Sequence, residues 1–343
     1  MSGVEVFLDD TPGETRGVIA RDGVFHHLII QREDGVAQHR LGARSVGRVV
    51  RVDVGLRAAF VDLGAGEPLG FLPLSKTMVV REGDRIEVVV TVEPRERKGP
   101  TLSLTGPGEG APRLIQAGPD MAQVLPRLAP GVEVQTGAAA IRAGLEAEED
   151  AFGGGVVVAD LGLDLAVQRT RALVAVDIDH MPAPGQGARN GRDRANREGL
   201  RQAARLIRLK GWGGLVVVDL AGTALAPEPV NAAARAAFDD EGAAVGPLSR
   251  FGLLQISLPW RRTPLEEIMN GGDARPTART RAIDAVRRLR LAMLEDTTAP
   301  RFTARCAPDV AALAGPLAAR LGLRAAVKVD AALRSGQAVI EEG

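Results

Sequence analysis

Short alternations of apolar and polar residues dominate the first hundred positions, and they read as strands. Runs over Val4–Leu8, Arg16–Ala20 and Val24–Gln31, the last after an Asp22-Gly23 turn, open the chain. From Ser45 five more short runs follow at regular spacing: Val46–Val54, Leu56–Leu63, Leu69–Leu72, Arg85–Glu93 and Thr101–Leu104, with Gly or Pro between them. Five short Val- and Gly-rich strands predict a small OB-type barrel, a fold that offers a strand face to single-stranded nucleic acid. Residues 106–150 are weakly patterned, rich in Gly, Pro and Ala, and end in the acidic run Glu146–Asp150. A second β-rich block begins near Val156. Strands are expected over Leu163–Gln168 and Ala172–Asp179, then a helix over Asp193–Lys210 and a strand over Leu215–Asp219. A helix near Val230–Phe238 and a strand over Leu253–Leu258 complete an alternation that predicts an α/β sheet. From about Pro276 a basic helix leads into short strands such as Arg324–Val329.

Composition narrows the class. At 343 residues two or three domains are expected, and 43 Lys+Arg against 43 Asp+Glu leave no net charge to announce a polyanionic partner. No apolar run reaches the ~18–20 residues of a membrane helix. The opening MSGVEVFLDDTPGE is acidic and does not read as a secretory signal, so a cytoplasmic protein is expected. Cys306 is the one cysteine, which removes an internal disulfide and any multi-cysteine zinc site. With eight Phe, two Trp and no Tyr, the position of each aromatic carries information.

Two aspartates each close an apolar strand, Asp177 after Leu173–Val176 and Asp219 after Leu215–Val218. Side chains alternate along a strand, so Asp177 and Asp179 project to one side. Were the two strands neighbours, Asp177 and Asp219 would meet at one sheet end, where like charges repel unless a cation lies between them. All-oxygen ligands with room for water suit Mg²⁺. Each Asp alone reads as readily as a turn or helix cap; the pair together favours a metal site. In the following helix Arg194, Arg197, Arg201, Arg205 and Arg208 recur at helical spacing. Eight basic residues against two acidic ones between Arg189 and Lys210 fit a phosphate backbone or, equally, a solvated face paired with acids elsewhere. Phe60 and Phe71 fall on adjacent barrel strands, where they could stack bases or fill the core, and Lys98 precedes the fifth strand. Gly185-Gln186-Gly187 lacks the third glycine of a dinucleotide loop, and no phosphate-binding GK[ST] is present, which disfavours a nucleotide-binding enzyme of the doubly wound type. His26, His27, His39 and His180 have no metal-ligand spacing, and Cys306 reads as a buried small side chain.

The motifs Arg57–Gly64 with Gly70–Leu74, Leu173–Asp179, Gly213–Asp219 and Ser249–Leu254, in that order, resemble the catalytic half of the ribonuclease E/G family. That resemblance implies single-strand-specific endoribonucleases with an RNase H-like mixed sheet, an inserted S1 barrel and a small C-terminal α/β domain. The implied domains are residues 1–37 with 156–270 (RNase H-like), 38–105 (S1), 106–155 (a shortened sensor-like connector) and 271–343 (C-terminal). By position, Asp177 and Asp219 resemble the magnesium-binding catalytic pair, one Mg²⁺ per site. Asp179 replaces a supporting asparagine and could add a third metal ligand. Phe60, Phe71 and Lys98 fall on RNA-contacting positions, and Arg194, Arg197, Arg201 and Arg250 are added as RNA contacts. No cysteine lies near residues 265–275, where the family's zinc link would be, so neither zinc nor a zinc-linked tetramer is expected; a homodimer stays open. Gln135-Thr136 stands where the family has an Arg-Thr pair, without the guanidinium that would fork onto a 5′-phosphate. The implied activity is magnesium-dependent cleavage of single-stranded RNA, leaving 5′-phosphate and 3′-hydroxyl ends and not requiring a 5′-monophosphate. The alternative is an RNA-binding relative with weak or no catalysis.

Overall fold

The computed structural model describes residues 3–153, 155–181, 188–222 and 225–342, the side chains of 188–190 excepted, so Gly185-Gln186-Gly187 lies outside the described residues. The fold is mixed α/β, and the chain divides into two compact units. One comprises Met1–Val24, Leu28–Glu146 and Arg261–Gly343, the other Phe25–His27 and Ala147–Trp260.

The alternation at the start of the chain becomes β1 (Val4–Asp9), β2 (Glu14–Arg21) and β3 (Val24–Arg32). Next come β4 (Arg44–Asp53), β5 (Ala58–Asp62), β6 (Gly70–Pro73), β7 (Arg85–Val92), β8 (Thr101–Pro107) and β9 (Arg113–Gln116). Five of these strands close a ring in the order β4-β5-β6-β8-β7, because β4 pairs with both β5 and β7; β9 adds to β4 from outside. Every second residue points inward, and Val49, Val61, Leu72, Val88, Val90 and Leu102 fill the interior.

The weakly patterned stretch expected as a sensor-like connector holds α1 (Met121–Leu128), β10 (Val134–Gln135) and α2 (Ala138–Phe152). Asp120 and Gln123 form a reciprocal capping box at the start of α1. α2 buries Ile141 together with Ala140, Ala143, Ala147 and Ala151, mostly small side chains that leave little hydrophobic signal in the sequence. β10 pairs in parallel with β1, giving the sheet order β10-β1-β2-β3. The opening strands therefore pair with this segment and add none to the sheet of residues 155–258, with which the resemblance groups them.

That second sheet contains β11 (Gly155–Val158), β12 (Leu163–Arg169), β13 (Val174–His180), β14 (Gly214–Asp219), β15 (Ala244–Val245) and β16 (Leu253–Leu258). Their order is β11-β12-β13-β14-β16-β15, with β13 and β14 parallel and the other pairs antiparallel. α3 (Ala188–Leu209) and α4 (Pro227–Ala237) follow β13 and β14. The buried face of the sheet, with Leu165, Val176, Ile178, Val218 and Ile256, packs against Ala203, Ala204 and Ile207 of α3 and Ala234 of α4. Gly199 permits the close approach, since a Cβ there would come within 2.7 Å of Ile178 Cδ1.

The chain closes with α5 (Leu265–Asn270), α6 (Ala278–Glu295), β17 (Phe302–Cys306), α7 (Pro308–Ala319), β18 (Ala325–Val329) and β19 (Ala338–Glu342). β17 lies between β18 and β19, and α6 and α7 share its core. Cys306 is fully buried there, and burial pushes its thiol up to about 11, which makes it inert packing. Within the first unit, Arg287 of α6 donates to Asp9 (2.7 Å) and Glu14 (2.8 Å), and Arg16 (2.7 Å) and Arg32 (3.1 Å) also donate to Glu14. Burial alone would raise the Glu14 carboxyl, but the Arg16, Arg287 and Arg32 guanidiniums outweigh it and hold it at about 2.

Candidate active site and nucleic-acid interface

Asp177 and Asp219 are register partners on the parallel pair β13 and β14. Partner residues on adjacent strands share a face, and the strands lie about 4.8 Å apart, so the two carboxylates stand side by side. Their apolar neighbours Val176, Ile178 and Val218 go to the helix-covered face, and both aspartates are left exposed on the other. Asp179 lies on that open face two residues beyond Asp177. Its partner on β12 is Asp164, a fourth carboxylate of the row. Desolvation, followed by the charges of Asp179, Asp219 and Asp164, raises the Asp177 carboxyl above its ordinary value. Asp164 carries no motif; only the register of β12 against β13 brings it in.

Among the described residues no three His, Cys, Asp or Glu side chains converge as a metal cluster would. The donor set at the strand ends is therefore a carboxylate pair, with Asp179 and Asp164 beside it. Two carboxylates with the remaining positions left to water and phosphate is how Mg²⁺ is usually held, so the residues present fit that ion.

Behind Asp219 the chain is fixed by a residue that no pattern announces. Asn196 of α3 is buried and donates through Nδ2 to the Ala221 carbonyl (3.0 Å), while the Ala221 N–H donates to its Oδ1 (2.9 Å). The segment leaving β14 is thereby tied to the helix two residues beyond the carboxylate.

The arginines of α3 do not form one row toward solvent. Arg205 is buried and paired with Asp150 at 2.5 Å, with further donation to Gln202 (2.7 Å) and to the Phe25 carbonyl (3.1 Å). Arg208 pairs with Asp239 (3.2 Å) and Asp240 (2.9 Å). For these two the reading that pairs them with acids elsewhere is the correct one, and it accounts for the acidic run ending at Asp150. Arg201 remains exposed beside Glu198 (2.9 Å), and Arg194 and Arg197 are exposed on the N-terminal half of the helix. α3 itself covers the face opposite the aspartates. Arg250 is also exposed, its guanidinium 4.6 Å from the centre of the Phe251 ring.

The ring brings its three expected residues together. Phe60 and Phe71 are register partners on β5 and β6, their rings 5.9 Å apart and edge-to-face at 74°. Arg51 is the partner of Phe60 on β4 and lies 4.2 Å over its ring, and Thr101 is the partner of Phe71 on β8. This row, Arg51-Phe60-Phe71-Thr101, floors a cavity of about 740 Å³ walled by Glu67, Leu69, Arg95, Arg97 and Lys98. Lys98 is exposed, its Nζ 3.8 Å from Glu96. The loop carrying these cations is held by the segment before α5. Thr263 donates through N to Glu93 (3.1 Å) and through Oγ1 to the Pro94 carbonyl (2.7 Å). Half-buried aromatics ringed by cations form a surface suited to stacked bases and their phosphates. Gln135 and Thr136, the counterparts of the sensor pair, are exposed at the end of β10. No described helix is long and apolar enough to cross a membrane.

Comparison with known proteins converges on the same region. Residues 120–260 match the model of the Ribonuclease E/G family. A ribonuclease G of Haemophilus influenzae is 31% identical over 123 residues, covering 30% of this chain and 25% of that protein. The match thus spans about a quarter of the length of that curated relative. Through residues 120–260, the segment that carries Asp177, Asp219 and the helix between them, the chain is similar to the Ribonuclease E/G family.

Proposed function

We propose that the protein is a magnesium-dependent endoribonuclease that cuts single-stranded RNA in processing or decay. The observation that carries this reading is the side-by-side register of Asp177 and Asp219 on an open sheet face, with Asp177 held above its ordinary pKa by desolvation and then by neighbouring carboxylates. A mutually repelling pair of acids is stabilised by a divalent cation, and similarity to the Ribonuclease E/G family gives that cation a use. Asp177 and Asp219 hold the ion, with Asp179 supporting. When bound, it polarises the scissile phosphate and lowers the pKa of a water. Phe60 and Phe71 stack bases, with Arg51 and Lys98 beside the backbone, in the manner of an S1-type barrel. Arg194, Arg197, Arg201 and Arg250 attract phosphates. In-line attack of water leaves a 5′-phosphate and a 3′-hydroxyl, and no 5′-monophosphate is needed because Gln135 offers no guanidinium to read one.

A second reading, an RNA-binding protein without efficient catalysis, draws on the Arg51-Phe60-Phe71 row, which suffices for binding without any metal. Gel shift and cleavage, each in Mg²⁺ and in EDTA, separate the two. The nuclease reading predicts shift in both buffers and cleavage only in Mg²⁺. Shift without cleavage in either leaves the binding reading, and neither outcome in Mg²⁺ removes both.

A further inference from the structure

We propose that Phe251 is a base-stacking residue at the cutting edge of the sheet, taking one base of the strand whose phosphate reaches Asp177 and Asp219. This rests on the nuclease reading for its location, and the stacking itself can be tested separately. Phe251 is 74% exposed, the most exposed phenylalanine among the described residues of a chain with only eight. The backbone that presents this ring is pinned by a set of local hydrogen bonds. The Ser249 hydroxyl accepts from the Phe251 N–H (3.3 Å) and the Leu253 N–H (3.1 Å). The Ser249 N–H in turn donates to the Leu253 carbonyl (2.9 Å), and the Gly252 N–H to the Ser249 carbonyl (3.0 Å). Gly252 has φ +80°, a conformation that favours glycine and closes the turn after Phe251.

The place matters as much as the exposure. Leu253, which follows this turn, is the register partner of Asp219, and Asp219 is the partner of Asp177. Two residues of chain and one strand spacing put the Phe251 Cα within about 12 Å of the Asp219 Cα. The open face there carries four carboxylates and repels a phosphate backbone. Arg250, stacked 4.6 Å from the Phe251 ring centre, supplies a cation at its rim. An aromatic plane joined to a guanidinium offers a nucleotide stacking for its base and charge for its phosphate, which a bare acidic edge does not. An apolar protein surface would use the ring but would gain nothing from the adjacent cation.

The test uses the full chain in EDTA, so that binding is read without cutting, with a short single-stranded oligoribonucleotide and versions carrying one abasic position. Phe251→Ala is expected to weaken binding of the intact strand about tenfold. Phe251→Trp is expected to restore binding, and its emission, corrected for Trp212 and Trp260, to be quenched by RNA. The quench should vanish when the abasic position flanks the bond that is cut in Mg²⁺. Unchanged affinity in the alanine variant together with an unquenched tryptophan overturns the proposal, as does an equal loss on intact and abasic strands. Quenching without any cleavage in Mg²⁺ supports the stacking role while removing the nuclease reading. Cleavage by wild type with an unresponsive Trp at 251 leaves the nuclease and sinks this inference alone.

Discussion

Arg51, Phe60, Phe71 and Thr101 stand in one line because each is the register partner of the next, across four strands distant in sequence. The two phenylalanines were legible in the sequence, since a chain so poor in aromatics draws attention to each and both lay on expected adjacent strands. Arg51 was not. It sits in an ordinary polar position of a strand, and only the bulged pairing between Val49 and Arg51 sets it over Phe60. Asp164 was missed for the same reason. Local pattern tells which face a residue takes, but register against a distant strand tells what it faces. If the row stacks bases, Phe60→Ala lowers affinity for single-stranded RNA by about 1–3 kcal/mol, measured by fluorescence anisotropy in EDTA. Affinity within error of wild type would make Phe60 core packing only.

At the scale of elements, the α/β alternation of the second unit was readable nearly to the residue. β12, β13 and β16 pair large apolar side chains on one face with polar or small ones on the other, and β14 is an apolar run closed by Asp219. α1, α2 and β10 were unreadable, because α2 packs largely through alanine, with Ile141 its one fully buried large side chain, and β10 is two residues long. The arginine spacing of α3 was plain, but its meaning depended on acids remote in the chain: Asp150, Asp239 and Asp240 claim Arg205 and Arg208. Asn196 shows what such a helix does for the strand end. Asn196→Ala removes both hydrogen bonds to Ala221 and leaves a buried peptide unit unsatisfied, costing about 2 kcal/mol of stability in urea titration. Cleavage should fall further than the folded fraction does, because Asp219 loses its fixed exit. A rate that tracks only the folded fraction would confine Asn196 to stability.

Across the whole molecule, the largest departure from sequence expectation is the burial of charge. Pattern reading places Asp, Glu and Arg on the surface, yet Asp9, Glu14, Arg16 and Arg287 are all 0–1% exposed and join the opening strands to α6. Arg287 was hidden in a helix read simply as basic. The folded-state pKa of Glu14 is depressed, so its contribution to stability is fully present above the unfolded value of about 4.5 and is lost as pH falls toward about 2. Thermal denaturation of the wild type should therefore move to lower temperature across that window. Arg287→Met, which takes one guanidinium from two buried carboxylates and leaves Arg16 and Arg32 on Glu14, should destabilise by up to about 3–5 kcal/mol at neutral pH. A melting temperature that stays flat from pH 5 to 2.5 would contradict the assignment of Glu14 as a buried, paired anion.

The claim on which the rest depends is that Asp177 and Asp219 act together on one phosphodiester through a shared divalent ion. Single-turnover cleavage of a labelled single-stranded RNA in Mg²⁺ by wild type, Asp177→Asn and Asp219→Asn tests it most directly, with RNA affinity measured in parallel. The account predicts that each substitution abolishes cleavage, that the double substitution does no further harm, and that affinity changes little. Cleavage at the wild-type rate by either variant would contradict it.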